Sequence, residues 1–230
     1  MLFAIDTSTA HLGLALYDGA TVLAELTWTS RARHTVELAP ALSGLLKRVG
    51  HPVADLTSIG VAIGPGSFTS LRVGLAFAKG LALARKLPLI GVPTLDAVAA
   101  AIPVQAMPLV AVLQAGRGRV AAAWYESREN AWQAQGGVLS ESKDHARSVT
   151  VDELAESIHH PTLVVGELSA EERQRLARKR VNVHLASPAQ SVRRPALVAE
   201  LAWEKFQAGR VDELAALAPI YLHVEGGPPA

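Results

Sequence analysis

Two rounds of one pattern run through the 230 residues, and they predict an α/β protein of two lobes, each a mixed sheet flanked by helices. Each round opens with three short apolar strands and continues as helices alternating with strands. Composition agrees with a packed fold of this class. Hydrophobic residues make up 50% and charged residues 19%, with mean hydropathy +0.23, which excludes a disordered chain. Aromatic residues are only 5%, so Ala, Leu and Val must build the core.

Leu2–Thr7, Leu12–Tyr17 and Thr21–Thr29 are predicted as strands. Asp18-Gly19 marks a hairpin between the second and third, because glycine accepts the positive φ of a tight turn. A helix follows over Thr35–Val49, with Leu38, Leu42, Leu45, Leu46 and Val49 at helical spacing. Pro40 inside that pattern predicts a kink or a later start. Ser58–Ile63 is a buried strand leading into Gly64-Pro65-Gly66, Thr69–Lys86 a long helix, Pro88–Val92 a strand and Thr94–Ile102 a capped helix. Three antiparallel strands followed by strand-helix-strand-helix is the plan of half an actin-like or ribonuclease H-like domain.

Pro103 to Pro108 is the expected boundary, after which the pattern restarts. Leu109–Gln114, Arg119–Glu126 and Ala131–Leu139 are predicted strands, followed by a helix at Val151–Ile158, a strand at Thr162–Gly166 and a charged helix at Ser169–Lys179. A strand at Asn182–Ala186 and a helix at Pro195–Ala208 close the round. Residues 1–104 are thus the expected first lobe. Residues 105–230 are a second, reduced lobe with the C-terminal helix and a mobile tail at Gly226–Ala230.

Charge and composition also limit function. Lys and Arg total 22 against 21 Asp and Glu, a net charge of +1 that gives no global field for a phosphate backbone. Basic residues cluster only locally, at Arg31/Arg33/His34, Arg117/Arg119, Arg173–Arg180 and Arg193/Arg194. The absence of cysteine excludes disulfides, thiolate metal sites and a cysteine nucleophile. The most apolar run, Val73–Ala84, is cut by Lys79, so no membrane span is expected, and the start lacks a signal-peptide pattern, which points to the cytoplasm.

Three segments are candidates for chemistry or binding. Asp6-Thr7-Ser8-Thr9, at the turn between two strands, has the carboxylate and hydroxyls that can hold magnesium and phosphate oxygens, or that simply satisfy turn amides. Gly64-Pro65-Gly66-Ser67-Phe68-Thr69 joins a strand to a helix N-terminus, where free amides face whatever lies ahead; it matches no Walker loop and no nucleophile elbow, and a tight packed turn accounts for it equally. On the helix that follows, Ser70, Gly74, Ala78 and Ala82 form a stripe of small side chains, while Leu71, Val73, Leu75, Phe77 and Leu81 cover the other sides. An interior glycine costs roughly 1 kcal/mol against alanine, so the stripe predicts a close approach: one face of the helix can pack on the chain's own sheet, and the other needs a second helix, from another protein or the Thr35–Val49 segment. Of the eight histidines no two lie four apart, and His159-His160 point different ways, so no catalytic metal pair is formed. The second round ends its first strand at Gln114, which is neutral and replaces no carboxylate; Glu167 follows a strand with no evident partner.

Asp6-Thr7-Ser8, His34-Thr35 before Leu38 and Pro40, and the run Gly64-Pro65-Gly66-Ser67-Phe68-Thr69-Ser70-Leu71-Arg72-Val73-Gly74 resemble the bacterial TsaB (YeaZ) family. So do Arg117-Gly118-Arg119-Val120 and Pro219-Ile220-Tyr221-Leu222. The resemblance is densest from Ile59 to Leu95. It implies an actin-like (ASKHA) fold and a non-catalytic dimerisation or scaffold subunit of the machinery that makes threonylcarbamoyladenosine beside the tRNA anticodon. It further implies pairing with, and activation of, a homologous TsaD-like transferase, work alongside a TsaE-like ATPase, a homodimer when alone, tRNA contact only through the complex, and no membrane. No catalytic residue, metal or cofactor belongs to the chain itself under that resemblance, ATP being used by partner proteins, and Asp6, Thr7, Ser8 and Thr9 become a degenerate phosphate loop. The implied partner surface is Leu38, Leu42, Leu45, Ser70, Leu71, Gly74, Leu75, Ala78 and Ala82. Departures stand at Ser70, at Gln114-Ala115-Gly116-Arg117 and at Gly166-Glu167, where the family usually has Gly, Asp-Ala-Arg and an acidic glycine-rich motif. The alternative is an actin-like ATPase or small-molecule kinase with Asp6 as metal ligand.

Overall fold

The structure, a computed structural model, describes residues 1–30, 34–135, 146–178 and 181–222. Its first sheet holds β1 (Leu2–Asp6), β2 (His11–Tyr17), β3 (Val22–Thr29), β4 (Ser58–Ala62) and β5 (Leu89–Val92), in the order β3-β2-β1-β4-β5. β1 runs antiparallel to β2 and parallel to β4, and every residue of β1 and β4 is buried. A strand covered on both faces needs an unbroken apolar run, as Leu2-Phe3-Ala4-Ile5 supplies. The hairpin from β2 to β3 forms at Asp18-Gly19: Asp18 Oδ1 accepts from the amides of Ala20 and Thr21 at 2.8 and 2.7 Å, and Gly19 takes a φ of +102°.

The second sheet repeats this plan. It holds β6 (Leu109–Gly116), β7 (Arg119–Arg128), β8 (Ala131–Ala134), β10 (Thr162–Gly166) and β11 (Val183–Leu185) in the order β11-β10-β6-β7-β8, with β6 antiparallel to β7 and parallel to β10. A further strand, β9 (Ala146–Thr150), pairs with Arg119–Ala123 of β7, while β8 pairs with Tyr125–Arg128, so the two follow one another along one edge of β7. β9 lies where no strand is predicted; its Ala146-Arg147-Ser148-Val149-Thr150 has too little apolar alternation to signal one. Of the strand predicted over Ala131–Leu139, only Ala131–Ala134 is seen, and its end lies outside the described residues, as do Arg31, Arg33, Lys179, Arg180 and the tail.

Helices α1 (His34–Val49) and α2 (Phe68–Arg85) cover one face of the first sheet, and Leu38, Leu42, Leu45, Leu75, Ala78 and Ala82 join Phe3, Ile5, Leu14 and Ile59 in its core. α1 begins at His34 and holds Pro40 within it, so it does not start later as the sequence allowed. The other face is covered by α6 (Pro195–Gln207), whose Ala196, Val198, Ala199 and Ala202 pack on Leu2, Ala4 and Ala15. The C-terminal helix, whose lobe the sequence leaves open, packs on the first lobe's sheet although it lies within residues 105–230. α3 (Thr94–Ala100) makes the reverse crossing: its Leu95, Val98 and Ala99 pack among Leu109, Ala111 and Tyr125 of the second sheet. α4 (Val151–Ser157) and α5 (Ala170–Ala177) cover that sheet's other face, each opened by a capping box, Thr150 with Glu153 and Ser169 with Glu172. The crossing helices and the Asp212 carboxylate, which accepts from Gly91 N at 2.7 Å, bind the chain end to the first lobe.

Candidate functional site

β1 delivers Asp6 to the cleft between the lobes, and Thr7, Ser8 and Thr9 follow in the turn to β2. All four side chains are buried. Asp6 Oδ1 accepts from Ser8 N at 2.8 Å, Thr7 Oγ1 donates to Ser70 O at 2.8 Å, and Ser8 Oγ lies 2.7 Å from Thr94 Oγ1. Thr9 Oγ1 donates to Glu167 Oε1 at 2.9 Å, which ties the first lobe to the end of β10. Every polar side chain of the expected phosphate loop is thus engaged by the chain itself.

The decisive side chain is one that no spacing in the sequence singles out. Arg193 leaves the connector between β11 and α6 and enters the cleft, where its side chain is only 5% exposed. Its Nε donates to Asp6 Oδ2 at 2.8 Å, its Nη1 donates to Thr9 Oγ1 at 2.8 Å and to Glu167 Oε1, and its Nη2 donates to His11 O. Burial alone pushes its pKa down, but Asp6 and then Glu167 outweigh this and the net shift is upward, so the guanidinium stays charged. The sequence lists Arg193 beside Arg194 as one basic pair; the fold separates them, since Arg194 lies on the surface against Glu25. Gln114 Nε2 donates to Glu172 Oε2 at 2.6 Å beside the same cleft. A cavity of about 550 Å³ remains, walled by His11, Trp28, Arg173, Ser191 and Arg193.

The glycines of the loop from β4 to α2 approach the chain itself. A Cβ on Gly66 would come within 2.2 Å of Ser8 O, and one on Gly64, whose φ is +105°, within 2.8 Å of Ile220 O. Pro65 is buried between them, Ser67 N donates to Ser8 O at 2.7 Å, and Ser67 Oγ accepts from Ser70 Oγ. Phe68 and Thr69 are exposed at the start of α2. There Arg72 sits 3.6 Å over the Phe68 ring and its Nε donates to Tyr221 Oη at 2.9 Å, so Pro219–Leu222 is held against α2.

The same inward packing corrects the expected partner surface. Leu38, Leu42, Leu45, Ser70, Leu71, Gly74, Leu75, Ala78 and Ala82 are all buried within the chain. The small-residue stripe faces its own sheet: a Cβ on Gly74 would meet Thr7 Oγ1 at 2.0 Å. What α1 and α2 leave outside is a second set, one position further round. On α2 the exposed or half-buried residues include Val73, Ala76, Phe77, Gly80, Leu83 and Ala84; on α1 they include Val36, Ala39, Pro40 and Gly44. Leu83 is 71% and Val36 65% exposed. A groove of about 350 Å³ lies between the two helices, lined by Thr35, Leu38, Arg72, Val73, Ala76 and Phe77.

Two sheets of one strand order, joined by crossing helices around a cleft, define a two-lobed protein of the actin-like (ASKHA) class. A family model described as "TsaD: tRNA N6-adenosine threonylcarbamoyltransferase" matches residues 21–219, and the chain belongs to that family, with TsaB (YeaZ) proteins among its relatives. It is 36% identical over 131 residues to the tRNA threonylcarbamoyladenosine biosynthesis protein TsaB of Escherichia coli K12, 56% of each chain. With the Bacillus subtilis protein of the same name it shares 40% over 99 residues, 43% of each. The chain spans about half the length of the curated relatives it matches. The solved structure of YeaZ from Pseudomonas aeruginosa has the same fold, with a TM-score of 0.75 and 21% identity over 96% of this chain and 99% of that one.

Actin-like clefts imply a magnesium nucleotide, and the residues present do not fit one. Magnesium wants free, hard oxygen ligands, whereas Asp6, Thr9 and Glu167 already surround a guanidinium. Among the described residues no three His, Cys, Asp or Glu side chains gather as a metal site, and no helix is long and apolar enough to cross a membrane.

Proposed function

We propose that the chain is a non-catalytic subunit of the machinery that makes threonylcarbamoyladenosine in tRNA, and that it pairs with and activates a TsaD-type transferase. The observation that carries this reading is the outer face of α1 and α2. Gly44 and Gly80 lie inside helices, each at a cost of about 1 kcal/mol against alanine, yet among the described residues no atom beyond the helix's own neighbouring backbone lies within 4 Å of where their Cβ atoms would be. Intramolecular packing gives no reason for either glycine. A helix from a second protein, laid close across Val73, Ala76, Gly80 and Leu83, does. Exposed Leu83 and Val36 would be buried by it, at roughly 25 cal/mol per Å².

The relatives' names support the process, and the cleft supports the reading that the chain does no chemistry of its own, because Asp6 and Glu167 are held by Arg193. In this reading ATP is used by partner proteins, among them a TsaE-type ATPase, tRNA is met only within the complex, the free chain self-associates through the same face, and the site of action is the cytoplasm. The enzyme alternative, with Asp6 as metal ligand, gains no support from a carboxylate already bonded to an arginine. The test is reconstitution of tRNA modification from the transferase, the ATPase, tRNA, ATP and an activated threonylcarbamoyl donor, the threonylcarbamoyl adenylate. Modification is expected to need this chain; full modification without it overturns the proposal.

A further inference from the structure

We propose that Arg193 is a resident cation of the inter-lobe cleft, which holds the two lobes at one angle without any ligand. Two-lobed folds with a hinge commonly close around what they bind, and closure then depends on the ligand's charge meeting groups from both lobes. Here the meeting is made internally. The guanidinium takes Asp6, Thr9 and the His11 carbonyl from the first lobe and Glu167 from the second. Its backbone stands in the connector between β11 of the second sheet and α6 on the first, so the clamp sits where the chain passes between the lobes. The Thr9–Glu167 hydrogen bond runs beside it and shares its acceptor, Glu167 Oε1.

Three features separate this arrangement from an incidental surface pair. The side chains of Arg193, Asp6 and Glu167 are 5%, 3% and 12% exposed, so solvent screens the pairs little. The fork of the guanidinium is filled on all three nitrogens, which fixes its orientation as a lysine's single ammonium would not. Asp6 is itself pinned by Ser8 N, so the anchor on the first lobe is rigid. A magnesium phosphate needs the same oxygens, hence clamp and nucleotide are mutually exclusive. This inference does not rest on the pairing with a transferase and is tested apart from it.

The test uses the full chain, which has no native cysteine, with spin labels on cysteines placed at exposed Ala20 and Glu156, one in each lobe. The parent should give one narrow distance. R193A is expected to lower Tm by roughly 6–20 °C, the loss of one partner from a buried ion cluster, and to broaden the distance distribution, with millimolar ethylguanidinium narrowing it again. R194A, at the exposed pair with Glu25, should change neither reading. If R193A does not fold, the charge-free variant D6N/E167Q/R193M removes the clamp without stranding a buried charge, and it too should broaden the distribution. A folded variant of either kind with the parental distance overturns the proposal. So does the unaltered chain if magnesium with ATP raises its Tm or shifts its inter-lobe distance, a reading that needs no clamp variant.

Discussion

Gly74 and Gly80 stand six residues apart on α2 and serve opposite sides of it. At Gly74 a Cβ would come within 2.0 Å of Thr7 Oγ1 and 2.9 Å of its Cγ2, backed by a buried sheet. At Gly80 the space is open. Gly74→Ala is therefore expected to destabilise the chain by roughly 1–3 kcal/mol through overpacking, and Gly80→Ala to stabilise it by about 1 kcal/mol through helix propensity. Urea unfolding of the two variants checks both signs; equal effects would show that α2 does not lie as described. The stripe of Ser70, Gly74, Ala78 and Ala82 was legible in the sequence, but its direction was not, because a run of small residues records a close approach and not the identity of what approaches. Arg193 was hidden for a related reason. Its partners Asp6 and Glu167 lie 187 and 26 residues away, and no local spacing links them.

At the scale of elements, periodicity located most strands and helices, since apolar runs of Leu, Ile and Val mark buried strands directly. It did not say on which sheet α3 and α6 would lie, because each helix carries an apolar face that suits either. Capping supplies a separate test at α4. Thr150 Oγ1 accepts from Glu153 N, and Thr150 N donates to Glu153 Oε2 at 2.7 Å, with Arg119 adding a bond at 3.1 Å. The Thr150 amide foremost, then the Thr150 and Arg119 side chains, hold the Glu153 carboxyl below its ordinary range. A carboxyl depressed in the folded chain contributes stability above its unfolded pKa and loses it as pH falls through the folded value. The protection factor for amide exchange at the start of α4 should therefore fall on acidification below the ordinary glutamate range, and Glu153→Gln, which does not titrate, should remove that pH dependence. A protection factor that ignores pH in that window would contradict the capping box as the fastening of α4.

The whole molecule turns the polar groups of its cleft on one another and leaves apolar helix surface outside. The carboxyl groups of its cleft are held by its own arginine, its glycine-rich loop packs on its own turn, and the small-residue stripe faces its own sheet. The surplus lies on the outer face of α1 and α2, where Val36, Ala76, Gly80 and Leu83 meet solvent. The two-lobed plan could be read from the duplicated strand pattern. The residues left exposed on α2 could not, since buried and exposed positions alternate within one turn of the helix and both are apolar. The most direct measurement is sedimentation velocity of the chain mixed with a TsaD-type transferase, the parent compared with Ala76→Glu/Leu83→Glu, two exposed positions whose change spares the core. The parent should travel with the transferase, and the variant should sediment alone while keeping the parental thermal unfolding. A folded variant that still travels with the transferase would contradict the assignment of this face.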